Sequence, residues 1–152
     1  MDLRDNTDTL TFLISDSARV LRAAFERRII QAGLEVTPAE ARTLLNVEIL
    51  KDGRQLDIAA RMGIEPMTVC AFLDKLQAAG LIERQPDPSD RRAKQVVLTP
   101  KSHDLIKRIR HELDRLIAQA TDGLAEEDVA VFMRVLESVH DNLAMDTPQG
   151  LS

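Results

Sequence analysis

A mainly α-helical domain carrying one small β-hairpin is the fold class this sequence predicts, and three observations predict it. Long stretches near both ends place apolar residues three and four apart, the period of an amphipathic helix. Between them, "LDIAARMGIEPMTVCAFL" sets Gly63 four residues after Ala59 and Val69 six after that, a spacing that suits two short helices joined by a tight turn. Directly after it, "LIERQ" and "AKQVVLT" read as strands around the loop "PDPSDRR".

The elements follow in order. From Thr9 to Ala32, Leu10, Leu13, Ile14, Ala18, Leu21, Ala24 and Phe25 form one stripe on a long helix, and Gly33 stops it. "TPAE" starts the second helix, with Thr37 as N-cap, Pro38 at the first helical position and Glu40 completing a capping box. It runs to about Lys51, where "KDG" ends it. Two short helices are expected over Gln55 to Met62 and Pro66 to Ala79, joined through "GIE" and closed by Gly80. In "LTPKS", Thr99 is expected to cap a fifth helix that continues to about Ala120, with Leu105, Ile109, Leu113, Leu116 and Ile117 on one stripe. A sixth, from about Glu126 to Ala144, aligns Val129, Phe132, Met133, Leu136, Val139 and Leu143.

Composition bounds the function. The 152 residues suit one ordinary domain, with 44% hydrophobic and 30% charged residues, a normal globular balance. No apolar run approaches the ~18 residues of a membrane span. The start "MDLRDNTDTL" is polar and acidic, unlike a secretory signal or transit peptide. A single cysteine, Cys70, forbids an internal disulfide, and a reduced cytoplasmic setting is expected. Net charge is −5, but it is unevenly spread: from Arg54 to Lys101 eight basic residues face six acidic ones, +2, which leaves −7 for the remainder. A polyanion partner needs only local positive potential, so the central segment is the candidate for DNA contact.

On the second of the short helices, Val69, Phe72, Leu73 and Leu76 share a core face, whereas Met67, Thr68, Ala71 and Lys75 point away, towards what a major groove would meet. The hairpin that follows carries Arg91 and Arg92 at its tip. A helix for the major groove beside a cationic wing for the minor groove makes one coherent surface. The surplus apolar stripes of the terminal helices call for a second copy of the chain. We therefore expect a helical dimerisation region over 1–36 and 100–146, a winged DNA-binding region over 37–99, and a frayed tail over 147–152.

"GLIERQPDPSDRRAKQVVLT", together with the upstream helix pair, closely resembles the MarR family of winged helix-turn-helix regulators in its SlyA-like branch. The resemblance implies a homodimer on a pseudo-palindromic operator, more often repressor than activator. It also implies that Arg92 enters the minor groove, that Asp90 steadies Arg92, and that Arg91 meets phosphate. Three positions depart from the family pattern. Ala71 stands where relatives often present an arginine, leaving Met67, Thr68 and Lys75 on the reading face. Ala41 stands near where they often carry tryptophan, and "LTPKS" replaces the usual "LTxxG".

The resemblance further places an effector pocket where the dimer helices meet the winged module. Arg19 and Arg22, three apart on the first helix, beside Ala18, Phe25, Ala41 and Leu45, would suit a small anionic aromatic ligand. The alternative is that these arginines pair with Asp16 or Glu26 along the helix.

Other candidates read as structural. Cys70 has neither a neighbouring histidine nor a resolving cysteine, so packing is its expected role. Glu137 and His140 match half of a di-metal motif whose second copy is absent, and His103 and His111 lie about 12 Å apart along one helix. No nucleophile–base pairing or Gly-rich phosphate loop points to an enzyme, and no cofactor is expected. Without tryptophan or tyrosine, single-strand binding by base stacking is disfavoured. The open alternative to a DNA-binding regulator is a winged-helix protein–protein interaction module that has lost DNA binding, which Ala71 and the overall acidity favour.

Overall fold

In a computed structural model, which describes residues 6–145, the chain forms α1 (Thr7–Gln31), α2 (Pro38–Leu50), α3 (Gln55–Met62), α4 (Pro66–Ala78), β1 (Ile82–Pro86), β2 (Lys94–Leu98), α5 (Ser102–Ala120) and α6 (Glu126–Ala144). The strands pair antiparallel, Ile82 opposite Leu98 and Pro86 opposite Lys94. This is a mainly α winged helix-turn-helix. The expectation of a frayed tail lies outside the described residues. The chain divides into two compact units, with the boundary after Leu116.

Local chemistry sets the start of α2 and the turn of the helix pair. Thr37 Oγ1 accepts from Glu40 N–H at 3.2 Å while Thr37 N–H donates to the Glu40 carboxylate at 3.0 Å, the reciprocal capping box. Between α3 and α4, Gly63 takes φ +64°, Gly63 N–H bonds Ala60 O, and Ile64 N–H bonds Ala59 O. A left-handed residue there lets the chain reverse while the last carbonyls of α3 stay bonded. Ala59 and Val69, both buried, fill the angle.

The core of the first unit joins Phe25 and Ile29 of α1, Ala41, Leu44, Leu45 and Val47 of α2, Ile58 and Met62 of α3, Val69, Leu73 and Leu76 of α4, Ile82 and Val96 of the hairpin, and Leu105, Ile106 and Ile109 of α5. Burial of that much aliphatic surface orients α3, α4 and the hairpin as one module. The N-terminal part of α1 takes no part in it. Phe12 is 64% exposed, and Leu10, Leu13, Ile14 and Leu21 are exposed as well. In the second unit, α6 has no buried residue, and Phe132, Met133, Val135 and Leu143 are all exposed.

Two details depart from the sequence reading. The left-handed residues after α2 are Lys51 (φ 43°) and Asp52 (φ 63°), not Gly53. Gly53 is needed for space, since a Cβ there would come within 2.8 Å of the Leu50 Cβ. The Gly53 carbonyl accepts from Val96 N–H at 3.0 Å and Arg54 bridges to Gln95, so α3 is laced to the wing at its very start. Thr99, expected as the cap of the fifth helix, instead donates its hydroxyl to Gly80 O at 2.6 Å, and α5 begins three residues later at Ser102. The exit of the hairpin lies against the C-terminal end of α4, where Lys101 Nζ also donates to Ala79 O at 2.7 Å.

Candidate nucleic-acid interface

The segregation of α4 into two faces follows from its sequence. Val69, Leu73 and Leu76 are buried and Phe72 is half-buried, which turns Met67, Thr68, Ala71 and Lys75 into solvent. Proline at the first helical position starts the helix without sacrificing a hydrogen bond. Arg84 of β1 straps α4 from one flank, pairing with Asp74 at 2.7 Å and donating to the Cys70 carbonyl at 3.2 Å. Cys70 is half-buried beneath this contact.

The hairpin loop is built around two aspartates. Asp87, only 7% exposed, accepts from Ser89 N–H at 2.8 Å and Ser89 Oγ at 2.6 Å through one oxygen. Its other oxygen accepts from Arg54 Nε at 2.7 Å. The two Ser89 bonds and the Arg54 guanidinium, Ser89 foremost, hold the Asp87 carboxyl well below the usual carboxylate range. Asp87 in turn raises the pKa of Arg54. Arg54 also donates to Ser89 Oγ at 3.2 Å and lies 4.0 Å from Asp90. Because Arg54 stands at the head of α3, where its N–H is received by Asp57 at 3.0 Å, one guanidinium ties the helix pair to the wing.

Asp90 supports Arg92 through the backbone. Its Oδ1 accepts the Arg92 N–H at 2.9 Å, and Ala93 N–H closes the turn onto Asp90 O at 3.1 Å. The two guanidiniums of Arg91 and Arg92 are left exposed at a tip whose backbone is fixed. Arg54, Asp87 and Ser89 were not singled out from the sequence. The available signal was "DPSD", an aspartate two residues before a serine, the pattern of a side chain folding back on its own turn.

The residues expected to line an effector pocket are placed differently from one another. Phe25, Ala41 and Leu45 are buried in the core, and Ala18 is exposed. Ala41 therefore fills space in the core. Arg19 pairs with Asp16 at 2.6 Å along α1, the pairing weighed above as the alternative. Arg22 is exposed, and the pKa of Arg42 of α2 is lowered first by burial and then by the charge of Arg22, against the opposing influence of Glu26. A separate cleft of about 650 Å³ lies between the end of α2, β2 and α5, lined by Val47, Val96, Ile106, Lys107 and the Arg110–Glu48 ion pair among others. Among the described residues, no group of three or more histidine, cysteine or acidic side chains could hold a metal ion, and no helix is long and apolar enough to cross a membrane.

The family model for MarR proteins matches residues 36–94, from the start of α2 through the wing. Solved structures match most of the chain. Transcriptional regulator PA3341 is 30% identical, with a TM-score of 0.74 over 89% of this chain and 98% of that one. A MarR family transcriptional regulator from Rhodococcus sp. RHA1 is 24% identical, with a TM-score of 0.73 over 88% and 93%. A cysteine-to-serine mutant of MarR from E. coli, solved in complex with operator DNA, is 20% identical, with a TM-score of 0.71 over 91% and 99%. The family model covers the winged module and a 30%-identical regulator matches along nearly its whole length; the chain belongs to the MarR family of transcriptional regulators.

Proposed function

We propose that this protein is a homodimeric, cytoplasmic transcriptional regulator that binds a pseudo-palindromic duplex operator, with α4 in the major groove and the wing against the neighbouring minor groove. The observation that carries this reading is the wing tip. Its backbone is locked by Asp90 and Asp87 while Arg91 and Arg92 are left exposed. A loop held rigid to present two unsheltered guanidiniums suits a polyanion, because phosphate contact and minor-groove entry both want positive charge at a fixed place. The similar fold of an E. coli MarR mutant, solved in complex with operator DNA, supports duplex DNA as the partner. Arg92 is the groove residue in this reading and Arg91 the phosphate contact, with Met67, Thr68 and Lys75 facing the bases.

A gel shift with the intergenic DNA upstream of the protein's own gene tests it. Retarded bands that survive competitor DNA are expected. No shift with any duplex would favour the protein–protein module instead.

Dimerisation is supported by the exposed apolar residues of α1 and α6, which a single chain leaves in water. An obligate interface of this kind commonly exceeds about 2,000 Å². Sedimentation should show only dimer at micromolar concentration, and a folded monomer there would refute the assembly.

The protein acts as a repressor in this reading, released from DNA by a small anionic aromatic ligand. Arg22 supports that step, because Arg42 stands close enough to repel it and a carboxylate between the two guanidiniums would relieve the repulsion. A ligand that binds the DNA-incompetent state ~100-fold more tightly supplies about 2.7 kcal/mol, enough to empty an operator. Calorimetry with salicylate should give heat with the wild type and less with Arg22→Ala. Equal affinities would remove Arg22 from sensing.

A further inference from the structure

The exposed face of α4 carries little hydrogen-bonding chemistry for reading bases. At about 100° per residue, Met67, Ala71, Asp74 and Ala78 stack along the middle of that face, with Thr68 and Lys75 on one flank. Met67 is 86% exposed, the largest exposure among the large apolar side chains of the described residues. Asp74 is already engaged by Arg84 at 2.7 Å. The N-terminal part of a recognition helix is what reaches base edges, and here it presents Met67, Thr68 and Ala71.

Guanine is read in the major groove by a bidentate arginine or lysine at N7 and O6, and adenine by asparagine or glutamine at N6 and N7. The N-terminal half of this face has no arginine, asparagine or glutamine; the cation Lys75 and the exposed amide of Gln77, on opposite flanks, both lie more than two turns into the helix. Glu65, at the N-cap, is an acceptor and offers nothing to the guanine acceptors. What the face does offer is methyl groups, from the Met67 thioether, Thr68 and Ala71. The apolar group that a B-form major groove displays is the thymine 5-methyl.

We infer that α4 selects its DNA through thymine methyl groups, so that each operator half-site places thymines opposite Met67 and Ala71. The inference rests on the duplex-DNA reading above and deepens it. Affinity then comes mainly from the wing cations Arg91 and Arg92, which hold phosphate and the minor groove, with Lys75 adding positive charge in the major groove. Discrimination comes from burying methyl against methyl on α4. An apolar strip flanked by cations fits a groove with a methylated floor and anionic walls better than it fits an acidic or basic peptide.

Selection from random duplexes with the full-length protein, followed by uracil-for-thymine replacement in the enriched site, tests this directly. Uracil keeps every hydrogen-bonding group and lacks only the methyl. Half-sites with thymine at the positions facing α4 are expected, and each replacement should weaken binding about fourfold, the value of one buried methyl at about 0.8 kcal/mol. Met67→Ala, at a solvent-exposed position, should bring the thymine-to-uracil affinity ratio towards one. Guanines at those positions, or equal binding of thymine and uracil sites by the wild type, would overturn the inference alone. Enrichment of no sequence at all would overturn the DNA-binding reading and this inference with it.

Discussion

Replacing Arg92 by alanine isolates the electrostatic contribution of the wing. Its side chain is exposed, and the loop's shape rests on bonds that the substitution retains: Arg92 N–H to Asp90, Ser89 to Asp87, and Arg54 to Asp87. The variant should therefore fold and dimerise as the wild type does. A dimer on its operator loses two cationic contacts. With a slope of about −0.9 per neutralised phosphate, the dependence of log K on log salt should flatten by up to about 1.8. Between 50 and 200 mM salt, a fourfold change, the wild type should lose roughly tenfold more affinity than the variant. At fixed salt the specific contact should cost about 1–3 kcal/mol on the operator. Fluorescence anisotropy across that salt range, with operator and random duplexes in parallel, measures both quantities. Arg91→Ala should weaken the two duplexes by similar factors, whereas Arg92→Ala should weaken the operator more. Wild-type affinity and slope for Arg92→Ala on the operator would refute the wing assignment.

Further outcomes follow from the fixed parts of the winged module. Asp87 has a lowered pKa in the folded chain, so the wing order it confers is fully present above the ordinary unfolded value near ~4 and is lost only as pH falls through the depressed one. Amide exchange at Ser89 should therefore be protected alike from pH 8 to 5, apart from intrinsic rates, and Asp87→Ala should remove that protection at every pH. Protection unchanged in Asp87→Ala would show that the loop does not depend on the Asp87 carboxylate. Thr37→Ala breaks one arm of the capping box of α2 and should cost about 1 kcal/mol. For a domain of this size that is a fall of about 3 °C in Tm by calorimetry, and an unchanged Tm would contradict the cap's role.

Elements whose cause is local were legible in the sequence. The capping box spans Thr37 to Glu40, the turn of the helix pair needs Gly63 alone, and the faces of α4 follow from apolar spacing, so all three can be read without the fold. The hairpin was legible because "PDPSDRR" interrupts two strand-like runs, and its register places Gln85 opposite Gln95. Family resemblance supplied what physics alone left open, that the helix pair and hairpin form one winged unit.

Contacts between residues distant in sequence were decided by the tertiary structure. Arg54 meets Asp87 across 33 residues, and nothing in the spacing of either names the other. Thr99 has the local pattern of a cap, yet once the hairpin returns to α4 its hydroxyl donates to Gly80 O at 2.6 Å and α5 begins only at Ser102. The arginines of α1 show the same limit. Periodicity sets Arg19 and Arg22 on neighbouring positions, but it cannot rank the acid on their own helix against the cation on the next. The Arg19–Asp16 pair, three residues apart on one helix, is local and could be weighed from the sequence. The charge of Arg22, in contrast, acts on Arg42 of another helix, across a distance that the order of residues along the chain does not contain.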